Sequence, residues 1–87
     1  MATVILNHRV KDYKSWKATY DSDKPRRDAM GGTELAVGEK QDDPGMVYMV
    51  WQMPDPSALK QMMADPNLQK TMQDAGVIST PEMIILN

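Results

Sequence analysis

His8 is the single histidine of the 87-residue chain, and imidazole is the one side chain here whose ordinary pKa suits a general base near neutral pH. It stands in the segment NHRVKDYKSW, residues 7–16, together with one of the two tryptophans. Tyr13, Trp16 and Tyr20 recur at spacings of three and four, which lays three aromatic rings along one stripe of a helix. An imidazole among aromatic rings can take a proton from a guest held away from water. The same imidazole also has an ordinary role, hydrogen-bonded on a strand in a core or at a sheet edge. Trp16 and Trp51 carry the same double meaning, since tryptophan at helical spacing or on a central strand is more often core than a binding platform. There are no cysteines, which excludes disulfides, thiolate nucleophiles and thiolate metal sites. One histidine among dispersed carboxylates offers no metal-ligand cluster at recognisable spacing.

The elements that must position these residues follow from periodicity. Residues 2–10 are rich in β-formers and alternate, with Val4, Leu6, His8 and Val10 on one face and Thr3, Ile5, Asn7 and Arg9 on the other. Asp12 suits the cap of a following helix, whose aromatic stripe folds back onto the strand so that His8 looks toward Trp16 and Tyr20. Pro25 either kinks that helix or restarts it, and Gly31-Gly32 ends it. Residues 33–41 and 46–53 are two strands joined through the turn formers Asp42-Asp43-Pro44-Gly45. The second is apolar on both faces, with Val47, Met49, Trp51 and Met53 on one side and Tyr48 and Val50 on the other, as a central strand covered twice would be. Asp55-Pro56 and Asp65-Pro66 each read as an N-cap followed by proline at the first helical position, giving two short helices before Gly76. The first buries Leu59, Met62 and Met63, the second Leu68, Met72 and Ala75, and residues 81–87 form a last strand.

Composition bounds the class. Residues 1–87 are read as one small domain near the lower limit for a self-sufficient core. Ten basic and twelve acidic residues give a net charge of −2, which argues against a nucleic-acid binder. The charge is uneven: seven basic residues face four acidic ones up to Asp28, and three face eight thereafter. A solvated helix face is the ordinary reading of the basic excess, and an anionic ligand near Arg26 and Arg27 is the alternative. No apolar run approaches the ~20 residues of a membrane span, and no secretion signal opens the chain, so a soluble cytoplasmic protein is expected. Nine methionines without one phenylalanine suit either irregular core filling or an adaptable apolar pocket.

The order β-α-β-β-α-β, with right-handed crossovers, puts both helical segments on one face of a four-stranded antiparallel sheet. The other face would expose Ile5, Tyr48, Val50 and either Ile84 or Leu86, an oily patch that a second copy of the chain could cover as a homodimer.

With His8-Arg9-Val10 closing the first strand, Asp12-Tyr13 and Trp16 opening the helix, the Asp42-Asp43-Pro44 turn, Trp51 before Pro54-Asp55-Pro56-Ser57-Ala58-Leu59, and the break at Ala64-Asp65-Pro66-Asn67-Leu68, the chain resembles the dimeric α/β barrel superfamily, ferredoxin-like chains typified by the antibiotic biosynthesis monooxygenase group. The resemblance implies an α+β fold that pairs into a dimeric barrel, and a pocket between sheet and helices. In members that oxygenate aromatic polyketides, a substrate deprotonated there reacts with oxygen without metal, flavin or other cofactor. Carried onto this chain, His8 is the candidate base. Trp16, Tyr20, Met49, Trp51, Met62 and Met72 are candidate walls, Arg27 stands at the mouth, and Tyr48 or Asn7 could serve as hydrogen-bond donor. The haem-degrading branch is disfavoured, because residues 56–76 hold neither tryptophan nor histidine. RNA-recognition modules share the element order, but GMVYMVW at residues 45–51 lacks their basic-glycine-aromatic start. The rival from another class is a non-catalytic homodimer that binds a small apolar or anionic ligand, or only associates. Fold does not decide between them.

Overall fold

A computed structural model describes residues 2–87. Eight elements follow in order: β1 (Ala2–Arg9), α1 (Tyr13–Ser22), α2 (Lys24–Ala29), β2 (Thr33–Glu39), β3 (Met46–Met53), α3 (Pro56–Met63), α4 (Pro66–Asp74) and β4 (Glu82–Leu86). The strands form one antiparallel sheet in the order β2-β3-β1-β4, with the helical segments packed on one side, which is the ferredoxin-like α+β arrangement.

Local chemistry sets the boundaries. Asp12 accepts from the backbone N–H and the hydroxyl of Ser15, at 3.4 and 2.7 Å, and so caps α1. Asp55 and Asp65 repeat the device on Ser57 and Asn67, each with proline in the first helical turn where no amide is needed. Pro25 restarts the helix rather than kinking it: α1 ends at Ser22 and α2 begins at Lys24. The strand expected over residues 33–41 stops at Glu39 and carries an irregularity between Glu34 and Ala36, which leaves Leu35 half exposed.

Register decides which side chains meet. Val4, Leu6 and His8 of β1 lie opposite Trp51, Met49 and Val47 of β3, on the helix side. These residues join Trp16, Tyr20, Met53 and Leu59 in the buried core. On the outer side Ile5 lies between Val50 and Ile84, while Thr3 pairs with Leu86. Both Ile84 and Leu86 therefore belong to the outer face, where one of the two was expected. Tyr48, Ile84 and Leu86 are 38, 41 and 50 % exposed there, so β3 is covered by protein on one face only in the single chain.

One end of the molecule is stitched by polar contacts. The Val10 amide donates to the Gly45 carbonyl at 2.8 Å, the Lys11 amide to the Gly76 carbonyl at 2.9 Å, and the Ile78 amide to the Arg9 carbonyl at 2.8 Å. Arg9 also forks onto Asp43 at 3.0 and 2.7 Å, tying the end of β1 to the hairpin turn. Gly45 makes that approach possible. Its φ is +89°, and a Cβ there would stand 3.0 Å from the Val10 carbonyl oxygen. Gly45→Ala is expected to cost more than the ~1–2 kcal/mol of a left-handed alanine alone, because the clash adds to it. Chemical denaturation of the two proteins measures this, and an unchanged midpoint would contradict the account.

Candidate functional site

The site grows from the helix-side register. His8 reaches the floor from β1, Met49 and Trp51 from β3, Trp16 and Tyr20 from α1, Arg27 from α2, and Met62 and Met72 from α3 and α4. All eight residues singled out in the sequence line one cavity of about 160 Å3. Leu6, Met63, Leu68, Thr71 and Ala75 complete its walls, and Thr19, Ser22 and Asp23 border it. Three larger depressions, of about 250, 570 and 390 Å3, also mark the surface; the first shares Arg27 and Trp51 with this cavity, and His8 borders none of them.

Aromatic contacts run in a ladder. The rings of His8 and Trp16 meet edge to face with centroids 5.4 Å apart. Trp16 stacks on Tyr20 at 4.9 Å, and Tyr20 lies parallel to Trp51 at 6.4 Å. The Trp51 indole N–H donates to the Tyr20 hydroxyl oxygen at 2.9 Å in a buried contact. This leaves the phenol proton free to serve a third group. Arg27 covers the outer rung, its guanidinium carbon 3.7 Å from the Tyr20 ring centroid and Nη1 donating to the Tyr20 backbone carbonyl at 2.6 Å. Burial raises the Tyr20 pKa, only partly opposed by the Trp51 hydrogen bond and the Arg27 charge, so the phenol stays protonated and is a donor.

His8 is 3 % exposed, and its Nδ1 is buried without a hydrogen-bond partner among the described residues. Burial lowers its pKa below the usual 6.5, with its own backbone group pulling less strongly the other way. The imidazole is therefore neutral at physiological pH, in the form that accepts a proton. A buried polar atom without a partner is costly in an ordinary core, and its presence beside a cavity suits a group that finds its partner in a guest.

The two other donors considered in the sequence lie elsewhere. Asn7 and Tyr48 pair with each other across β1 and β3 on the outer face, because strand alternation turns them away from His8. Tyr20 is the donor that the fold supplies instead. Its hydrogen bond with Trp51, thirty-one positions away, left no local signal in the sequence. Met63 and Leu68 had signals only as helix-face residues, and Thr71 had none. No group of three or more His, Cys, Asp or Glu able to hold a metal ion occurs among the described residues, and no helix is long and apolar enough to cross a membrane.

The pKa shift has a definite sign. Below about pH 6.5 the unfolded chain takes up a proton at His8 that the folded chain refuses until lower pH, so stability falls across that window. The lowered carboxyls Asp12, Asp43 and Asp55 act only below their ordinary 3.8 and do not overlap it. Denaturation between about pH 7.5 and 5.5 should show stability declining in the parent chain and a flatter profile in His8→Gln. Parallel profiles would show that His8 titrates alike in both states.

The fold recurs in solved structures. One, titled antibiotic biosynthesis monooxygenase, superposes with a TM-score of 0.61 at 20 % identity, covering 100 % of this chain and 97 % of that one. An uncharacterized NIPSNAP domain protein from Burkholderia xenovorans gives 0.66 at 14 % identity, with 100 % and 93 % covered. A conserved protein from Methanosarcina mazei Go1 gives 0.70 at 14 % identity, with 99 % and 90 % covered. At these identities the likeness establishes a shared ferredoxin-like fold and not a shared reaction. No curated protein matches the sequence. Residues 1–83 match the family described as Domain of unknown function (DUF3764), and the chain belongs to that family.

Proposed function

We propose that this protein holds a small apolar or aromatic molecule in the cavity between sheet and helices and oxygenates it without a cofactor. The observation that carries this reading is the neutral, buried His8, with an unpartnered Nδ1, in the wall of an otherwise largely apolar cavity. His8 takes a proton from an activated C–H of the guest, and the phenol of Tyr20 donates to the oxygen on which the negative charge develops. The carbanion adds dioxygen, the resulting peroxide regains the proton from His8, and loss of water, which removes the second hydrogen of that carbon, leaves a new carbonyl. Burial by Trp16, Trp51 and the methionines keeps bulk water from quenching the carbanion.

Oxygen uptake with small electron-rich cyclic ketones and hydroquinones as probes tests the reaction. The parent chain should consume oxygen in the presence of a chelator, and His8→Gln should lower the rate by about a hundredfold or more with the far-ultraviolet dichroism intact. An undiminished rate in His8→Gln would remove His8 as the base. The second reading, a non-catalytic carrier, draws on the depressed basicity of His8 and on the flexible Met49, Met62, Met63 and Met72 around the cavity. Saturable binding of the same probes without oxygen uptake would favour it.

The working unit proposed is a homodimer, in which the outer faces of two sheets cover each other's Ile5, Tyr48, Val50, Ile84 and Leu86. Sedimentation at micromolar concentration should give twice the 9.8 kDa chain mass, and Ile84→Lys should halve it while the cavity stays folded. A parent chain sedimenting as one subunit would refute the dimer.

A further inference from the structure

We infer that the guest is an acid of one-ring size, its carboxylate met by Arg27. This deepens the cavity reading above and rests on it. Four cations of the first half of the chain have carboxylate partners, Arg9 with Asp43, Lys17 with Asp21, Lys24 with Asp28 and Arg26 with Asp23, whereas Lys11, Lys14 and Lys40 have none among the described residues and stand away from the cavity. Arg27 differs. It is half-buried and lines the cavity, yet no carboxylate stands within ion-pair distance of it among the described residues. Its position is held by a ring face and a carbonyl oxygen, 3.7 Å from the Tyr20 centroid and 2.6 Å from the Tyr20 carbonyl. Neither neutralises its charge. A guanidinium has five N–H donors, and Tyr20 takes one, so a planar fork remains for a ligand oxygen pair. Asp23 also borders the cavity, but its carboxylate is already engaged by Arg26 Nε at 3.4 Å.

Size narrows the class further. A dry apolar cavity of about 150 Å3 accommodates benzene, and 160 Å3 is the space available here. Sites for drug-sized ligands are roughly 300 Å3 and above, so a single ring is the size that this cavity takes in whole. His8 and Arg27 stand at opposite ends of the contact series His8–Trp16–Tyr20–Arg27. A ring held by its acid group at the guanidinium lies in the same cavity that His8 lines.

Benzoate and benzyl alcohol, matched in ring and nearly in length, separate charge recognition from cavity filling. Titration followed by tryptophan fluorescence, or by the Trp51 indole proton resonance, should show benzoate binding roughly tenfold more tightly. Arg27→Gln should erase that preference while benzyl alcohol still binds, which also shows that the variant is folded. Added salt should weaken benzoate alone. Equal binding of the two probes by the parent chain overturns the acid assignment and leaves the cavity reading standing. A preference for benzoate that survives Arg27→Gln removes Arg27 as its origin. Binding of neither probe at millimolar concentration overturns both the assignment and the cavity reading.

Discussion

The pairing of β1 with β3 is the constraint on which the molecule turns. Because side chains alternate along a strand, the register that sets His8 against Val47 and Leu6 against Met49 assigns every neighbour to a side. A slip of one residue would turn His8 outward and bring Asn7 into the core. The helix side then receives the rings of α1, and the imidazole has aromatic neighbours instead of water. Nothing in the short helices could restore that geometry, since none of them buries more than two residues and α2 buries none.

What the sequence disclosed was whatever is encoded within a few residues. Asp12, Asp55 and Asp65 announce helix starts because a carboxylate and a free amide two or three positions on suffice to make a cap. Gly45 and Gly76, both at positive φ, mark turns for the same local reason. The facing of His8 toward Trp16 was legible from two periodicities combined, and the gathering of His8, Trp16, Tyr20 and Trp51 followed from it. What stayed hidden depends on partners distant in the chain. The irregularity at Glu34/Ala36, the placing of both Ile84 and Leu86 on the outer face, and the Trp51–Tyr20 hydrogen bond exist only once strands have aligned. The adjacent Arg26 and Arg27 looked alike in sequence. In the fold one pairs with Asp23 at the surface and the other lies over a tyrosine ring.

The methionines divide in an instructive way. Met49 and Met53 are fully buried and fill space under the helices, where an unbranched side chain adapts to an irregular gap. Met62, Met63 and Met72 are partly buried around the cavity. The aromatic ladder supplies the stiff side of the same enclosure, since tryptophan and tyrosine have few torsions to lose. One wall is thus rigid and carries the imidazole and the phenol, while the other is compliant and mostly apolar, with Thr71 as its polar member.

The stitched end of the molecule has a consequence for traffic. The ties among Arg9, Val10, Lys11, Gly76 and Ile78 fasten sheet, first helix and last helix together at one extremity, as the spine of a book holds its boards. Helices and sheet are free of those ties at the fore-edge, where the last turn of α2 and Arg27 stand. A visitor would enter past the guanidinium and travel inward along the rings, meeting the imidazole last.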